Sequence, residues 1–288
     1  MPIIDLVSNN RPFQIFHEVA APWADTVILF FSVPHPENPD KISGFGSGFV
    51  AQFGGRLYLV TALHVIEASL ELQRSGVDLG LILLKRKIPL ISKYYRPWII
   101  SRHDDLAASP LRPHEIQSWG VKKTSEIPVM EHFSRLGETG VYSVLGHPAS
   151  QNKLHGKFDN FERKIAIYAA CERVTDIPFS TKLRSPIGFK LKKKYVPNSE
   201  GQIITAPDTD GISGGPVFEL LPPELGSVMD GFGHTVPHFP VKLAGVFIGW
   251  DWKSQVAYAS PTGRLIELLK LCEEKIFSGE NSTVYSVE

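Results

Sequence analysis

Cysteine is scarce in this chain. The two present in 288 residues, Cys171 and Cys272, are too few for a disulfide framework and fit a reducing compartment. Net charge is missing as well: thirty Lys and Arg balance thirty Asp and Glu. No global field therefore argues for nucleic acid or an anionic membrane as the main partner. Apolar runs such as Val27 to Phe31 fall far short of the ~20 residues a membrane-spanning helix needs. The N-terminus, Met1-Pro2-Ile3-Ile4-Asp5, lacks a basic stretch followed by an apolar one, so no signal peptide is read there and a soluble cytoplasmic protein is expected. The remaining composition, 43% hydrophobic and 21% charged, is that of an ordinary globular protein. Its length suggests about two domains.

Short stretches rich in β-branched and aromatic residues fill the chain. Residues 26–33, 44–51 and 56–61 read as successive strands, the last two joined by a Gly54-Gly55 turn. Residues 79–84 and 88–91 read as another pair around the basic turn Lys85-Arg86-Lys87. Ala62 to Leu72 reads as a short helix carrying His64 near its start, and the loop-rich stretch 109–136 as a connection between halves. The β pattern returns at 140–148, 164–170, 201–205, 217–220, 241–250 and 256–259. The clearest helix comes last. Ser260 is predicted as its cap and Pro261 as its first residue, with Leu265, Leu268, Leu269, Cys272 and Ile276 on one apolar face. Many short strands and few helices predict an all-β barrel or sandwich, not a doubly wound sheet.

Chemistry concentrates in Asp210-Gly211-Ile212-Ser213-Gly214-Gly215-Pro216. Glycines around a hydroxyl leave backbone N–H groups uncovered, and those of Gly211 and Ser213 can stabilise the oxyanion formed when Ser213 attacks a carbonyl. The same letters also make an ordinary flexible turn, or the nucleophile elbow of an α/β-hydrolase. A serine nucleophile needs a general base, and the base needs an orienting acid. His64, in Val60-Thr61-Ala62-Leu63-His64, is the candidate base, and Asp105, in Asp104-Asp105-Leu106-Ala107, the candidate acid. An elbow enzyme carries its acid and histidine after the serine and needs several βα units there; the chain after Ser213 offers strands and one helix.

Thr-Ala-x-His, then Asp-Leu-Ala, then Gly-x-Ser-Gly-Gly-Pro on a β-rich chain resembles the trypsin/chymotrypsin-like serine peptidases, most of all their intracellular and Deg-type bacterial members. Gly44-Phe45-Gly46-Ser47-Gly48-Phe49 and Leu145-Gly146-His147-Pro148 fit that group too. The resemblance spans residues 25 to 275, with identities in these short motifs. It implies two antiparallel six-stranded β-barrels and a C-terminal α-helix. The expected parts are an N-terminal extension (1–24), a first barrel (25–130) with His64 and Asp105, a second (131–259) with Ser213, and a helix and tail (260–288). It implies that His64 acts as base, Asp105 as orienting carboxylate and Ser213 as nucleophile, with Gly211 and Ser213 forming the oxyanion hole. No cofactor or metal is expected. The partners expected are a polypeptide substrate and an activating protein, with neither membrane nor nucleic acid.

The secreted digestive members place before the serine an aspartate that captures a freed N-terminus. Ile212 stands there and cannot form that ion pair, so no N-terminal activation switch is expected, and activity depends on how the turn at Gly211 settles. The primary pocket is expected from Pro207, Asp208, Ile248, Gly249 and Trp250, with Trp250 making it shallow and suited to small or medium apolar side chains. His234 and His238 read as part of a hairpin and not a zinc site, and the basic stretch Lys190 to Lys194 as a solvated hairpin. A binding or sensor module that keeps the fold with little catalysis, and a partner-triggered protease, are the rival readings.

Overall fold

Val27 to Phe31 are five consecutive apolar residues, none more than 1% exposed, as expected of a strand covered on both faces. The structure, a computed structural model, describes residues 26–33, 41–83, 86–90, 97–119, 141–155, 166–170, 173–175, 177, 183–191, 196–197, 203–204, 208–221, 224–229, 235–238, 241–251, 253–277 and 284–287. The described elements start with β1 (Val27–Val33), β2 (Lys41–Phe53) and β3 (Arg56–Ala62), followed by helix α1 (Leu63–Arg74). Next come β4 (Asp78–Leu83), β5 (Arg86–Leu90), β6 (Trp98–Ser101), β7 (Leu106–Pro110) and the short helix α2 (Pro113–Trp119). The later part holds β8 (Tyr142–Gly146), β9 (Lys153–His155), β10 (Ala166–Ala170), β11 (Arg173–Val174), β12 (Ile187–Lys190), β13 (Val196–Pro197) and β14 (Ile203–Ile204). It closes with β15 (Pro216–Leu220), β16 (Glu224–Met229), β17 (Thr235–His238), β18 (Val241–Asp251), β19 (Val256–Pro261), α3 (Thr262–Phe277) and β20 (Val284–Val287).

Two sheets carry the architecture. Among the described residues one has nine strands, in the order β20-β6-β7-β3-β2-β1-β4-β5 with β9 also on β2, and the other has seven, in the order β10-β8-β15-β18-β19-β12-β11. Pairing is antiparallel throughout both except for β20, which lies parallel to β6. The all-β class with two antiparallel sheets and a C-terminal helix is therefore seen; among the described residues the sheets have nine and seven strands where six and six were expected. Edge additions account for the larger sheet: the β4–β5 hairpin, β9 and the C-terminal strand β20 all join at its margins or on the long β2. The boundaries expected at 24/25 and 130/131 lie outside the described residues, as do Pro207, Cys171, His234, Lys85 and Lys192 to Lys194. The expected boundary at 259/260 falls within β19.

Helix α3 covers the first core with Leu265, Leu268, Leu269 and Cys272, none more than 2% exposed, at the spacing of one helical face. Each such burial stabilises by about 1.5–3 kcal/mol. Its start differs from the expected cap. Ser260 and Pro261 pair with Val246 and Gly245 as the end of β19, and the helix begins at Thr262, whose hydroxyl donates to Leu243 O at 2.7 Å. Strand pairing overrode the local capping preference. Ile276 lies within α3. Among the described residues no helix is long and apolar enough to cross a membrane.

Buried phenols and a thiol make this core alkali-sensitive. Tyr142 is pushed from 10.0 to about 12, first by burial and then by Glu219, against the pull of Arg173. Cys272 is pushed from 9.0 to about 12 by burial and then Glu273, and Tyr58 and Tyr168 are raised chiefly by burial. A folded-state pKa above the unfolded one favours the protonated, folded chain; that stability is whole below the unfolded value and lost as pH climbs to the folded one. The urea midpoint is expected to fall between about pH 9 and about pH 12, and Tyr142→Phe to flatten the decline above about pH 10. A midpoint constant across that window overturns the assignment.

Candidate active site

His64 is the second residue of α1, which starts where β3 ends. The first N–H groups of a helix have no partner within it. Here Asp105 supplies partners: its carbonyl accepts from Leu63 N at 3.0 Å, and its Oδ1 accepts from His64 N at 2.9 Å. Oδ2 lies 2.7 Å from His64 Nδ1. Asp105 reaches this position because β7 pairs with β3, Leu106 opposite Ala62, and because its own backbone is left-handed, φ 50°, a conformation Asp tolerates better than most residues. A carboxylate at that distance favours the tautomer in which Nδ1–H donates to it and Nε2 keeps its lone pair. The histidine side chain is 43% exposed and the aspartate 20%, so the ring is open to solvent. Asp104 faces elsewhere: it is buried, accepts from Ser101 Oγ at 2.6 Å, and is ion-paired with Arg184.

The serine segment is two successive tight turns. Ile212 N donates to Thr209 O at 3.1 Å and Gly215 N to Ile212 O at 2.9 Å. The third residue of each turn is glycine with positive φ, Gly211 at 87° and Gly214 at 86°, where most side chains would be strained. Every carbonyl from 210 to 213 is held by the protein. Asp210 O accepts from Ala149 N at 2.6 Å, Gly211 O from Ser47 Oγ at 2.7 Å, Ile212 O from Gly215 N, and Ser213 O from Ser47 N at 2.8 Å. The peptides are trans, so each N–H points opposite to the carbonyl of its own plane. Among the described residues the N–H groups of Gly211 and Ser213 donate to no protein atom. Ile212, between the turns, is fully buried in the core of the seven-stranded sheet.

The two sheets meet at this segment. A Cβ on Gly214 would overlap Ser47 O and Thr61 Oγ1 and lie 2.9 Å from Ala62 N, so the turn is pressed against β3 two residues before His64. The Ser213 hydroxyl donates to Ile248 O at 3.2 Å, and no hydrogen bond joins it to His64. Ile248 sits at an irregularity between β18 and β19, as residues beside active sites often do. Gly214→Ala is expected to cost about 2–5 kcal/mol of stability through left-handed strain and overlap with backbone. A thermal unfolding midpoint equal to the parent's would refute that close approach.

The other expected pocket residues are only partly gathered. Asp208 is exposed, its carbonyl accepts from Tyr168 OH at 3.1 Å, and its Oδ1 caps Thr209 N at 2.9 Å. Ile248 is buried, Gly249 lies against the Tyr258 phenol, and Trp250 packs on the core of the seven-stranded sheet. Tyr258, read from the sequence only as part of the 256–259 strand, has its pKa raised by burial and then by the charges of Asp105 and Asp251. Ser47 and Ala149 were not singled out either. The only local trace of Ser47 is its place in the glycine-rich Gly46-Ser47-Gly48. Among the described residues no group of three or more His, Cys, Asp or Glu is arranged to hold a metal ion.

No family model and no curated protein matches the chain. Solved structures similar to it include trypsin-like proteases of the HtrA and Deg type. The active form of the Rv3671c protease from M. tuberculosis is 15% identical, with 90% of this chain and 86% of that one covered and a TM-score of 0.47. The HtrA-type protease AlgW, solved with a tripeptide, is 15% identical, with 92% of this chain and 64% of that one covered and a TM-score of 0.45. Deg5 is 17% identical, with 89% and 92% covered and a TM-score of 0.46.

Proposed function

We propose that the chain is a serine endopeptidase working through an acyl-enzyme. The observation that carries this reading is the His64–Asp105 hydrogen bond of 2.7 Å beside a serine turn whose four carbonyls are all tied inward. Ser213 Oγ attacks the peptide carbonyl carbon as its proton passes to His64 Nε2. The oxyanion is taken up by the N–H groups of Gly211 and Ser213. Collapse breaks the C–N bond, and Nε2 returns the proton to the departing amine. Water, deprotonated by the same nitrogen, then attacks the ester, and the acid leaves with the serine hydroxyl restored. A turn of the hydroxyl away from Ile248 O begins the cycle, a rotation between staggered side-chain wells. Trp250 supports a shallow primary pocket for small or medium apolar side chains; a cleavage profile dominated by Arg or Lys would count against it.

A second reading has its own observation. Ser213 Oγ is bonded to Ile248 O and not to His64, as a resting or sensor form would have it. A fluorophosphonate probe separates the readings. One adduct on the native chain and none on Ser213→Ala supports the peptidase. Absence of any adduct, while a control protease reacts, favours the binding module. An adduct formed only after a cellular extract is added points to an activating protein partner.

A further inference from the structure

Ser47 lies on β2 of the nine-stranded sheet, fully buried, yet its bonds reach the seven-stranded half. Its hydroxyl donates to Gly211 O at 2.7 Å and accepts from His147 N at 2.8 Å. Its N–H donates to Ser213 O at 2.8 Å, and its carbonyl accepts from Thr61 Oγ1 at 2.6 Å. One hydroxyl thus joins the serine turn to the segment at 147–149, whose Ala149 N–H in turn holds Asp210 O. Ile212 fixes how deep the turn sits but, being apolar, gives no direction to the peptide planes around it. Glycine at 211 tolerates either sign of φ, so the orientation of the Gly211 N–H depends on what holds the neighbouring carbonyls.

We propose that Ser47 is a positioning residue that ties the serine turn to the segment at 147–149 and so keeps the Gly211 N–H turned outward. The proposal rests on the peptidase reading for its catalytic consequence, but its geometric content does not. Without the hydroxyl, the part-buried Gly211 O and the buried His147 N–H both lose the hydrogen bond that links them through Ser47, which is costly. They recover a bond by closing on each other, which draws Gly211 toward His147 and misaims its N–H. One misplaced oxyanion donor lowers kcat by about 10²–10³-fold when lost outright. A displaced one is expected to cost about 10–100-fold.

The test compares Ser47→Ala with Thr61→Val, which deletes another buried hydrogen bond to the same residue, beside Gly214, while leaving every bond to the carbonyls of 210–213 in place. Hydrolysis of an activated acyl substrate is expected to show kcat reduced about 10–100-fold in Ser47→Ala, KM changed by less than about threefold, and kcat in Thr61→Val within about threefold of the parent. Should Ser47→Ala fail to fold, Ser47→Cys keeps the volume with a feeble donor and carries the same expectation. Amide exchange of Ala149 is read in parallel and needs no catalysis. It is expected to accelerate at least about tenfold in the Ser47 variant and not in Thr61→Val. Equal kcat losses in the two variants, or unchanged Ala149 exchange, overturn the positioning role. A parent chain that never reacts overturns the peptidase reading instead, and the exchange result alone then decides the role of Ser47.

Discussion

Ser213→Ala is expected to lower kcat on the order of 10⁶-fold, to the level set by binding and the oxyanion N–H groups alone. The fold is expected to be almost untouched. The hydroxyl's one bond is to Ile248 O at 3.2 Å, in a partly buried place, so losing it costs at most about 1 kcal/mol. Alanine keeps the residue-213 N–H and the bond from Ser47 N to its carbonyl, so the proposed oxyanion site is expected to persist without the proposed nucleophile. His64→Ala should then fall by a similar factor, and the double variant should be little worse than either, because base and nucleophile act as one unit. Activity is read on an activated ester and a peptide, with unfolding midpoints as controls. Additive losses in the double variant would mean that His64 and Ser213 serve separate tasks. Residual activity of Ser213→Ala within about tenfold of the parent would place the chemistry elsewhere.

The parts of this site that were legible in the sequence are those that local chemistry constrains. Turns with positive φ at their third residue demand glycine, so Gly211 and Gly214 announce the serine segment. A buried strand of five apolar residues announces β1. Strand β7 was not read, because Leu106-Ala107-Ala108-Ser109-Pro110 has weak strand propensity; its place between β3 and β6 comes from burial, which propensity does not record. The choice of Asp105 over Asp104 came from the resemblance, in which the acid directly precedes a Leu-Ala pair, and not from local chemistry. Adjacent carboxylates look alike in a sequence, but one is buried with Ser101 and Arg184 while the other turns back through a left-handed backbone to His64. Ser47 was the least legible. Its hydroxyl partners lie 164 and 100 residues away, so no window of sequence contains the reason for it. Ser260 shows the converse, a sound capping signal overridden by a ladder.

That left-handed carboxylate yields the second large effect. Asp105→Asn is expected to lower kcat about 10⁴-fold while leaving the fold in place. Asn tolerates positive φ as Asp does, and its amide oxygen can still accept from His64 N, so α1 keeps its N-terminal partner. The amide nitrogen must then face His64 Nδ1. Two donors cannot share a hydrogen bond, so the ring moves its proton to Nε2 and turns the Nδ1 lone pair toward the asparagine. Nε2 can then no longer accept the proton of Ser213. The loss therefore comes from the wrong tautomer and not from misfolding, and the two origins predict different behaviour. Wrong-tautomer loss leaves KM and the unfolding midpoint near the parent values. It also weakens at high pH, where hydroxide can replace the missing base. Asp105→Ala removes the partner of His64 N as well and should lose about 0.5–2 kcal/mol of stability on top of activity. If Asn retained activity within about tenfold of the parent, Asp105 would be a helix cap and not the orienting acid; if Asp105→Asn were as unstable as Asp105→Ala, its lost activity would trace to the fold and not to the tautomer.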